Sequence, residues 1–442
     1  MTVRGMKEKL KKIFIFFCAV IIFIICGKIW RYVLVDDTKS YTRLTMHQLY
    51  HSEQNIDIAF IGSSHVYVSL VPEITDKGFG KYTFNLGTSA QRMDGSLAMA
   101  KEVIANHDVS HIYLEMYYGM ASEKDRTQLT NTYIISDYMK PSLRKLTYLL
   151  KTSPKEYWVN SFILARREWT NFFDADYVKD LIMKKSSDSY KNYQWVRKEG
   201  QTAYYVDRGF ATNESRIPED TFWNEAAYKA IDVEHISDVW RDSLWKIIEL
   251  CRKKKVQLTL FITPMSESTI VGKGNYDSYV QEVRAIAGQA GIELYDFNLV
   301  KPEYFPARDG AYFKDEGHLN TRGARTFSQL FCDALTGKIS REQLFFHSLE
   351  EKMLYQEPFV YGIAGPSVNE AEGVKYARMI ANRDGGIEYR IMAVSEEGNE
   401  RMIQDFSQNT EFSLPVEEHG ILYVDWRMED GSGDTTALQI SY

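Results

Sequence analysis

Ile56-Asp57-Ile58-Ala59-Phe60-Ile61-Gly62-Ser63-Ser64-His65 is the stretch from which the fold is read. Its first six residues are rich in β-branched and aromatic side chains, the signature of a largely buried strand, and Gly62-Ser63-Ser64 then breaks the run. A serine is thereby left at the carboxyl edge of a strand, where open α/β sheets keep their sites. Further strand-like runs follow at Tyr82 to Leu86, His111 to Met116, Val256 to Thr263 and Ile292 to Phe297. Helical patterns alternate with them at Ser96 to Asn106, Asp238 to Lys254, Tyr279 to Ala290 and Thr321 to Leu335. Such alternation predicts parallel strands joined by right-handed crossovers, a three-layer α/β domain over about residues 50 to 345.

Far downstream, Asp315-Glu316-Gly317-His318-Leu319-Asn320 supplies what a serine needs. A serine hydroxyl is a poor nucleophile until a base within hydrogen-bond reach takes its proton, and histidine suits that task at neutral pH. An acidic neighbour fixes the tautomer and stabilises the imidazolium. Ser64 is the candidate nucleophile, His318 the base and Asp315 its orienting carboxylate. One loop ahead of the Thr321 helix can present both His318 and Asp315.

Composition bounds the remaining choices. A hydrophobic fraction of 44% and a charged fraction of 26% are ordinary globular values. The formal charge of -7 argues against nucleic acid as the main partner. No zinc-ligand spacing is present, and neither a metal nor a cofactor is expected. Cys251 and Cys332 fall on amphipathic helical patterns and read as buried thiols, although a disulfide between them is compatible with the sequence.

The first residues differ from the rest. Arg4, Lys7, Lys9, Lys11 and Lys12 form a basic segment, residues 1 to 12, before an apolar run from Ile13 to Cys26. Lys12 and Lys28 can snorkel, and Ile29, Trp30, Tyr32, Val33 and Leu34 extend the run to an aromatic boundary. A cleaved signal peptide begins the same way, but no small-x-small site follows. Residues 13 to 35 therefore predict a single-pass signal anchor. Because the basic residues precede it, the amino terminus is expected in the cytoplasm and the rest outside.

Two further regions break the α/β rhythm. Residues 121 to 234, rich in tyrosine, tryptophan, lysine and aspartate, predict a helical insertion with pieces at Lys140 to Lys151 and Lys155 to Phe173. Its Trp158, Trp169, Phe172, Phe173 and Tyr177 suit either sugar stacking or the insertion's own small core. From Pro358 to Tyr442, short strand-like runs at Val374 to Ile380, Ile387 to Val394, Ile421 to Trp426 and Ala437 to Ile440 are separated by turn chemistry at Asp384-Gly385-Gly386, Glu397-Gly398-Asn399 and Asp430-Gly431-Ser432-Gly433. These predict a small all-β, sandwich-like domain.

Gly62-Ser63-Ser64 resembles the first block of the SGNH, or GDSL-like, hydrolases, with serine where that family usually has aspartate. Asp315-x-x-His318-Leu319-Asn320-x-x-Gly323 is similar to the family's last block, and Asn85-Leu86-Gly87 to its second. The resemblance implies a flavodoxin-like three-layer fold, the Ser64, His318 and Asp315 triad, and an oxyanion hole from the Ser64 and Gly87 backbone amides. Ser63, His65, Asn85, Glu115 and Asn320 are the surrounding candidates. The third block, Gly-x-Asn-Asp, has no counterpart: after His111 to Glu115 the chain reads Met116-Tyr117-Tyr118-Gly119, so the asparagine donor is missing.

With an anchor ahead of it, the chain looks like the membrane-tethered branch acting in teichoic-acid D-alanylation and exopolysaccharide O-acetylation. That likeness implies a cell-envelope glycan or teichoic-acid-like polymer as partner, and a membrane-bound O-acyltransferase beside it. The rival expectation is a non-catalytic, polymer-binding scaffold.

Overall fold

The computed structural model describes residues 3–122, 129–164, 173–217, 236–272, 275–369, 371–383, 385–431 and 435–442. Trp169, Phe172, all of 218 to 234, Asp384 and Ser432-Gly433 lie outside them. The chain divides into two compact units, one of residues 1–52 with 124–199, the other of 53–123 with 200–442.

In the second unit, β1 (Ile58–Ile61), β2 (Thr83–Asn85) and β3 (His111–Glu115) come first. A hairpin intervenes, β4 (Ala203–Asp207) and β5 (Phe210–Asn213), and then β6 (Gln257–Ile262) and β7 (Leu294–Asp296) follow. Five of these form one parallel sheet in the order β2-β1-β3-β6-β7. All four residues of β1 are buried, as expected when helices cover both faces of a sheet. Because β2 lies on one side of β1 and β3 on the other, the winding reverses at β1. A crevice opens there at the carboxyl ends.

The helix Thr321–Leu335 lays Phe327, Leu330, Phe331 and Ala334 against the face bearing Phe60, Tyr113 and Phe261. That spacing repeats every three to four residues, so one stripe meets the sheet. Aromatic edges lock the contact: Phe331 lies 5.1 Å from Phe261 and 5.3 Å from Tyr113, centroid to centroid. The helices Met93–Asn106 and Asp238–Lys254 pack side by side on the opposite face, as the crossovers require. Lys255, in the left-handed region at φ 58°, ends the second of these after three basic residues in its last turn.

The expected helical insertion is not one piece and not wholly helical. Residues 124–199 belong to the first unit, whereas from Gly200 the chain rejoins the second as the β4–β5 hairpin. Its two-residue turn, Arg208-Gly209, has φ of 45° and 78°, the type I′ geometry that matches strand twist. The turn meets the edge of the sheet: the Arg208 carbonyl accepts from Asn85 N at 2.9 Å, and a Cβ at Gly209 would stand 2.0 Å from the Asn85 carbonyl oxygen.

Two short antiparallel strands, β8 (Phe313–Asp315) and β9 (His318–Leu319), precede the last helix. The carboxyl-terminal strands then form two antiparallel sheets. One contains β10 (Val360–Asn369), β11 (Val374–Ala381) and β14 (Glu411–Pro415), the other β12 (Ile387–Ser395), β13 (Glu400–Ser407), β15 (Gly420–Met428) and β16 (Thr436–Ser441). Ile363, Met379 and Leu414 of the first share a core with Ile391, Leu422 and Val424 of the second. This sandwich has three strands the sequence patterns did not mark, β10, β13 and β14. Glu400 to Ser407 is polar and half exposed throughout, so its period-two signal is weak.

The first unit is helical in its longer elements. Its helix Val3–Leu34 is apolar and long enough to cross a membrane over Glu8–Val33. Helices Tyr41–His51, Thr130–Ser136, Leu143–Thr152 and Ala175–Ser186 accompany it. Over its described residues the expected helix Lys155 to Phe173 begins as a 3-10 turn, Lys155–Tyr157, followed by a π-helical stretch, Val159–Leu164, and residues 165–172 lie outside the described ones. Cys251 and Cys332 are free buried thiols rather than a disulfide.

Candidate active site

Each site element sits where a strand ends. After β1 the chain turns at Gly62, and the short helix Ser64–Ser69 begins, with Ser63 as its cap. Gly62 is required because a Cβ there would lie 2.5 Å from both the Glu115 side chain and Val66. Gly87, just beyond β2, is equally constrained: its Cβ would meet the Ser63 carbonyl oxygen at 2.6 Å. The Gly87 backbone therefore packs directly on the serine turn.

Ser64 Oγ lies 2.7 Å from His318 Nε2, across 254 residues of chain. His318 Nδ1 in turn lies 2.7 Å from Asp315 Oδ1. The same carboxylate oxygen accepts from the backbone N–H groups of His318 at 2.9 Å and Gly317 at 3.1 Å. Burial by itself would raise the Asp315 carboxyl. The hydrogen bond from His318 and the charges of His318 and Lys314 outweigh it and hold Asp315 well below the usual carboxylate range. Lys314 Nζ stands 3.4 Å from Asp315 Oδ2.

The turn carrying Asp315 and His318 is braced from outside. Ser266 N and Oγ donate to the Glu316 carbonyl at 3.1 and 2.8 Å, and Thr269 Oγ1 adds a third bond at 3.0 Å. Asn320 caps the following helix by accepting from Gly323 N at 3.0 Å, while its Nδ2 donates to the Ala311 carbonyl at 2.8 Å. Gly323 permits the close approach, since a Cβ would sit 2.1 Å from the Tyr312 carbonyl oxygen. Asn320 thus shapes the loop and makes no bond to the triad atoms.

Beneath the serine turn lies a buried carboxylate. Glu115 Oε2 accepts from Ser63 N at 2.6 Å and from Ser63 Oγ at 2.8 Å, and Thr263 Oγ1 donates to Oε1 at 3.2 Å. Burial raises the Glu115 carboxyl to about 7, even though these hydrogen bonds pull it down. Ser63 Oγ in turn accepts from His65 N at 3.3 Å. One carboxylate at the end of β3 therefore holds the turn at the end of β1.

His65, one of the surrounding candidates, lies against the triad histidine. Its ring stacks on His318, centroids 4.4 Å apart and planes within 10°, and also meets Tyr117 at 4.2 Å and the Gly317 backbone. Burial first, and the charge of His318 second, lower the His65 imidazole well below its ordinary value. His65 is thereby a neutral plate against the His318 ring. Asn85 belongs elsewhere: its Nδ2 donates to the Leu70 carbonyl at 2.6 Å, tying β2 to the end of the serine helix.

Tyr117, Thr263, Ser266 and Lys314 were not singled out in the sequence. Tyr117 stands in the segment where the asparagine donor is missing, and the Tyr-Tyr pair after a strand is the signal that could have marked it. Thr263 closes the apolar run of β6, one more strand end at the same crevice. Among the described residues, the triad atoms, the serine turn and the Glu115 brace thus converge at the carboxyl ends of β1, β2, β3 and β6.

No family model matches the chain, and no curated protein matches it. Among solved structures, a provisionally designated acylhydrolase from Bacteroides fragilis overlaps with a TM-score of 0.31 at 12% identity, covering 66% of this chain and 94% of its own. A GDSL-like lipase from Bacteroides thetaiotaomicron overlaps with a TM-score of 0.32 at 11% identity, covering 68% and 98%. Overlaps this loose leave the assignment to the chain's own residues.

Proposed function

We propose that the chain is a membrane-anchored serine enzyme, acting outside the cytoplasm, that moves an acyl group to or from a cell-envelope polysaccharide or teichoic-acid-like polymer. The observation that carries this reading is the continuous chain from Ser64 Oγ through His318 to Asp315, with 2.7 Å at each link. In the proposed reaction Ser64 Oγ attacks an acyl carbonyl and passes its proton to His318 Nε2. Collapse of the tetrahedral adduct breaks the bond to the departing alcohol, which takes that proton and leaves Ser64 acylated. A second hydroxyl then gives its proton to His318, attacks the acyl-serine and frees Ser64. If that hydroxyl belongs to a polymer the enzyme is a transferase; if it is water, an esterase.

The Ser64 and Gly87 amides are assigned to the oxyanion. Loss of one such donor commonly costs about a hundred- to a thousandfold in rate, so the missing asparagine predicts a slow enzyme. His65 is assigned a positioning role, holding the His318 plane without competing for its proton. The apolar helix over Glu8–Val33 favours tethering, and the basic residues before it favour a cytoplasmic amino terminus.

A serine-directed phosphonate tests the reading. The adduct is expected on Ser64 in the full chain and absent from Ser64→Ala. Modification elsewhere, or none at Ser64, would instead support a polymer-binding scaffold. Partition of a labelled acyl group between water and a glycan hydroxyl then separates esterase from transferase.

A further inference from the structure

We propose that the helical unit of residues 1–52 and 124–199 lies in the membrane interface and holds an anionic lipid in the cavity between its apolar helix and the helix Leu143–Thr152. The inference rests on the reading of Glu8–Val33 as a membrane span.

Three observations within this unit carry it. The first is an exposed apolar face beside the span. Leu143, Leu146 and Leu150 recur on one side of their helix and are 81%, 44% and 45% exposed, with Val159 at 59% and Phe162 at 38% nearby. The same helix buries Tyr148 and Leu149 on its inner side, so the outer leucines are surplus to its own core. A face this apolar, in a helix that also carries Arg144, Lys145 and Lys151, has the make-up of an in-plane interfacial helix.

The second observation is the cavity, about 590 Å³. Phe23, Trp30, Leu146, Leu149 and Phe162 supply apolar wall. Lys28, Arg31 and Lys145 add three cations against one carboxylate, Asp137. Asp137 is already engaged, 3.6 Å from Arg31. Among the described residues, Lys145 Nζ donates to the Met139 carbonyl, at 3.3 Å. Burial, with the Arg31 charge beside it, lowers Lys145 to about 8, and an anion there would restore it. An apolar wall with a cationic mouth matches an acyl chain joined to a phosphate headgroup.

The third is rigidity between span and unit. Lys185, 2% exposed, donates to the Tyr32 carbonyl at 3.0 Å and pairs with Asp37 Oδ1 at 3.0 Å. Tyr190 donates to the same Asp37 oxygen at 2.9 Å, and the Arg43 guanidinium lies 3.7 Å above the Tyr190 ring. The chain leaving the span is thus clamped to the helix Ala175–Ser186. With the span in lipid, the leucine face is held at the height where Lys28 and Arg31 meet headgroups.

The test uses the full chain in nanodiscs, with Cys18→Ala and Cys26→Ala so that only buried native thiols remain. Nitroxides are placed singly at I21C in the span, L146C and L150C on the face, and E397C in an exposed turn of the sandwich. Collision with oxygen and with a nickel chelate should group L146C and L150C with I21C. Grouping with E397C while I21C reads as lipid-exposed would overturn this inference alone. An I21C label as wet as E397C would overturn the span, and the inference with it.

Native mass spectrometry from nanodiscs of equal phosphatidylglycerol and phosphatidylcholine then reads the headgroup. Retained phosphatidylglycerol should exceed phosphatidylcholine, with the preference falling about fivefold in Lys145→Gln, the value of one cation near an anionic surface. Equal retention of the two lipids, an unchanged preference in Lys145→Gln, or displacement by inorganic phosphate would each overturn the assignment.

Discussion

Two buried carboxylates in the second unit resolve the same physical problem in opposite ways. Glu115, under the serine turn, has hydrogen-bond donors from Ser63 and Thr263 but no cation among its bonded partners, and burial leaves its carboxyl at about 7. Glu267, where the helix Glu267–Gly272 meets β10, is equally buried but stands 3.4 Å from Lys352 and 2.5 Å from Arg308. It also accepts from Gln356 at 2.9 Å and from the Tyr361 hydroxyl of β10. Burial would raise it, yet Lys352 and Arg308 outweigh that and lower it. A carboxylate neutralised by cations staples one layer to another. One left to carry its own proton holds the turn of a candidate nucleophile instead.

The contrast breaks most sharply at the nucleophile. Ser64→Ala is expected to lower turnover by at least about ten-thousandfold while leaving the urea midpoint within error, because the hydroxyl contributes chemistry rather than packing. A variant retaining full activity would remove the triad from the mechanism.

Next comes the staple. Lys352→Ala leaves Glu267 buried with one partner fewer, and should cost about 3–5 kcal/mol in urea unfolding. The rate of phosphonate labelling at Ser64, measured well below the midpoint, should hardly change. Loss of labelling without loss of stability would mean that the two regions are not separate in function.

Glu115→Gln sharpens the other side. The folded-state carboxyl is raised from 4.5 to about 7, so the native state binds the extra proton between these values. Its contribution is therefore fully present below about pH 4.5, falls as pH rises, and is lost by about pH 7. At about 1.4 kcal/mol per unit, this decline is at most about 3.5 kcal/mol. Melting measured across that window should show the slope in the native chain and a flatter profile in the glutamine variant. An unaltered slope would assign the titration to another group.

The smallest effect is expected at His65. His65→Ala should lower kcat about tenfold with KM nearly unchanged, and His65→Phe should recover most of it, since a flat ring suffices to hold the His318 plane. Failure of phenylalanine to recover activity would point to a proton role for His65.

Much of this organisation was legible in the chain. The helices Asp238–Lys254 and Thr321–Leu335 begin and end where their apolar periodicity and caps place them, because a helix pattern is local. Met93 and Tyr276 start their helices three residues earlier than the periodicity suggests, since neither N-cap residue, Arg92 or Asn275, supplies a side-chain cap to mark the start. The β4–β5 hairpin was missed because Arg208-Gly209 is a weak turn signal and its strands are only five and four residues long. What holds that hairpin is the sheet edge at Asn85, which no local pattern contains.

For the candidate site the division is similar. Residue order alone placed Gly62-Ser63-Ser64 at a strand end, Asp315 and His318 on one loop, and an apolar span at the start, because periodicity, turn chemistry and charge act between near neighbours. The tertiary structure alone decided that His65 lies flat on His318, that Glu115 rather than a cation supports Ser63, and that Glu267 is a staple. Those outcomes depend on contacts from 41 residues apart, Glu267 to Arg308, to 253 apart, His65 to His318, and on the desolvation of carboxylates and imidazoles, which exists only after the layers have closed.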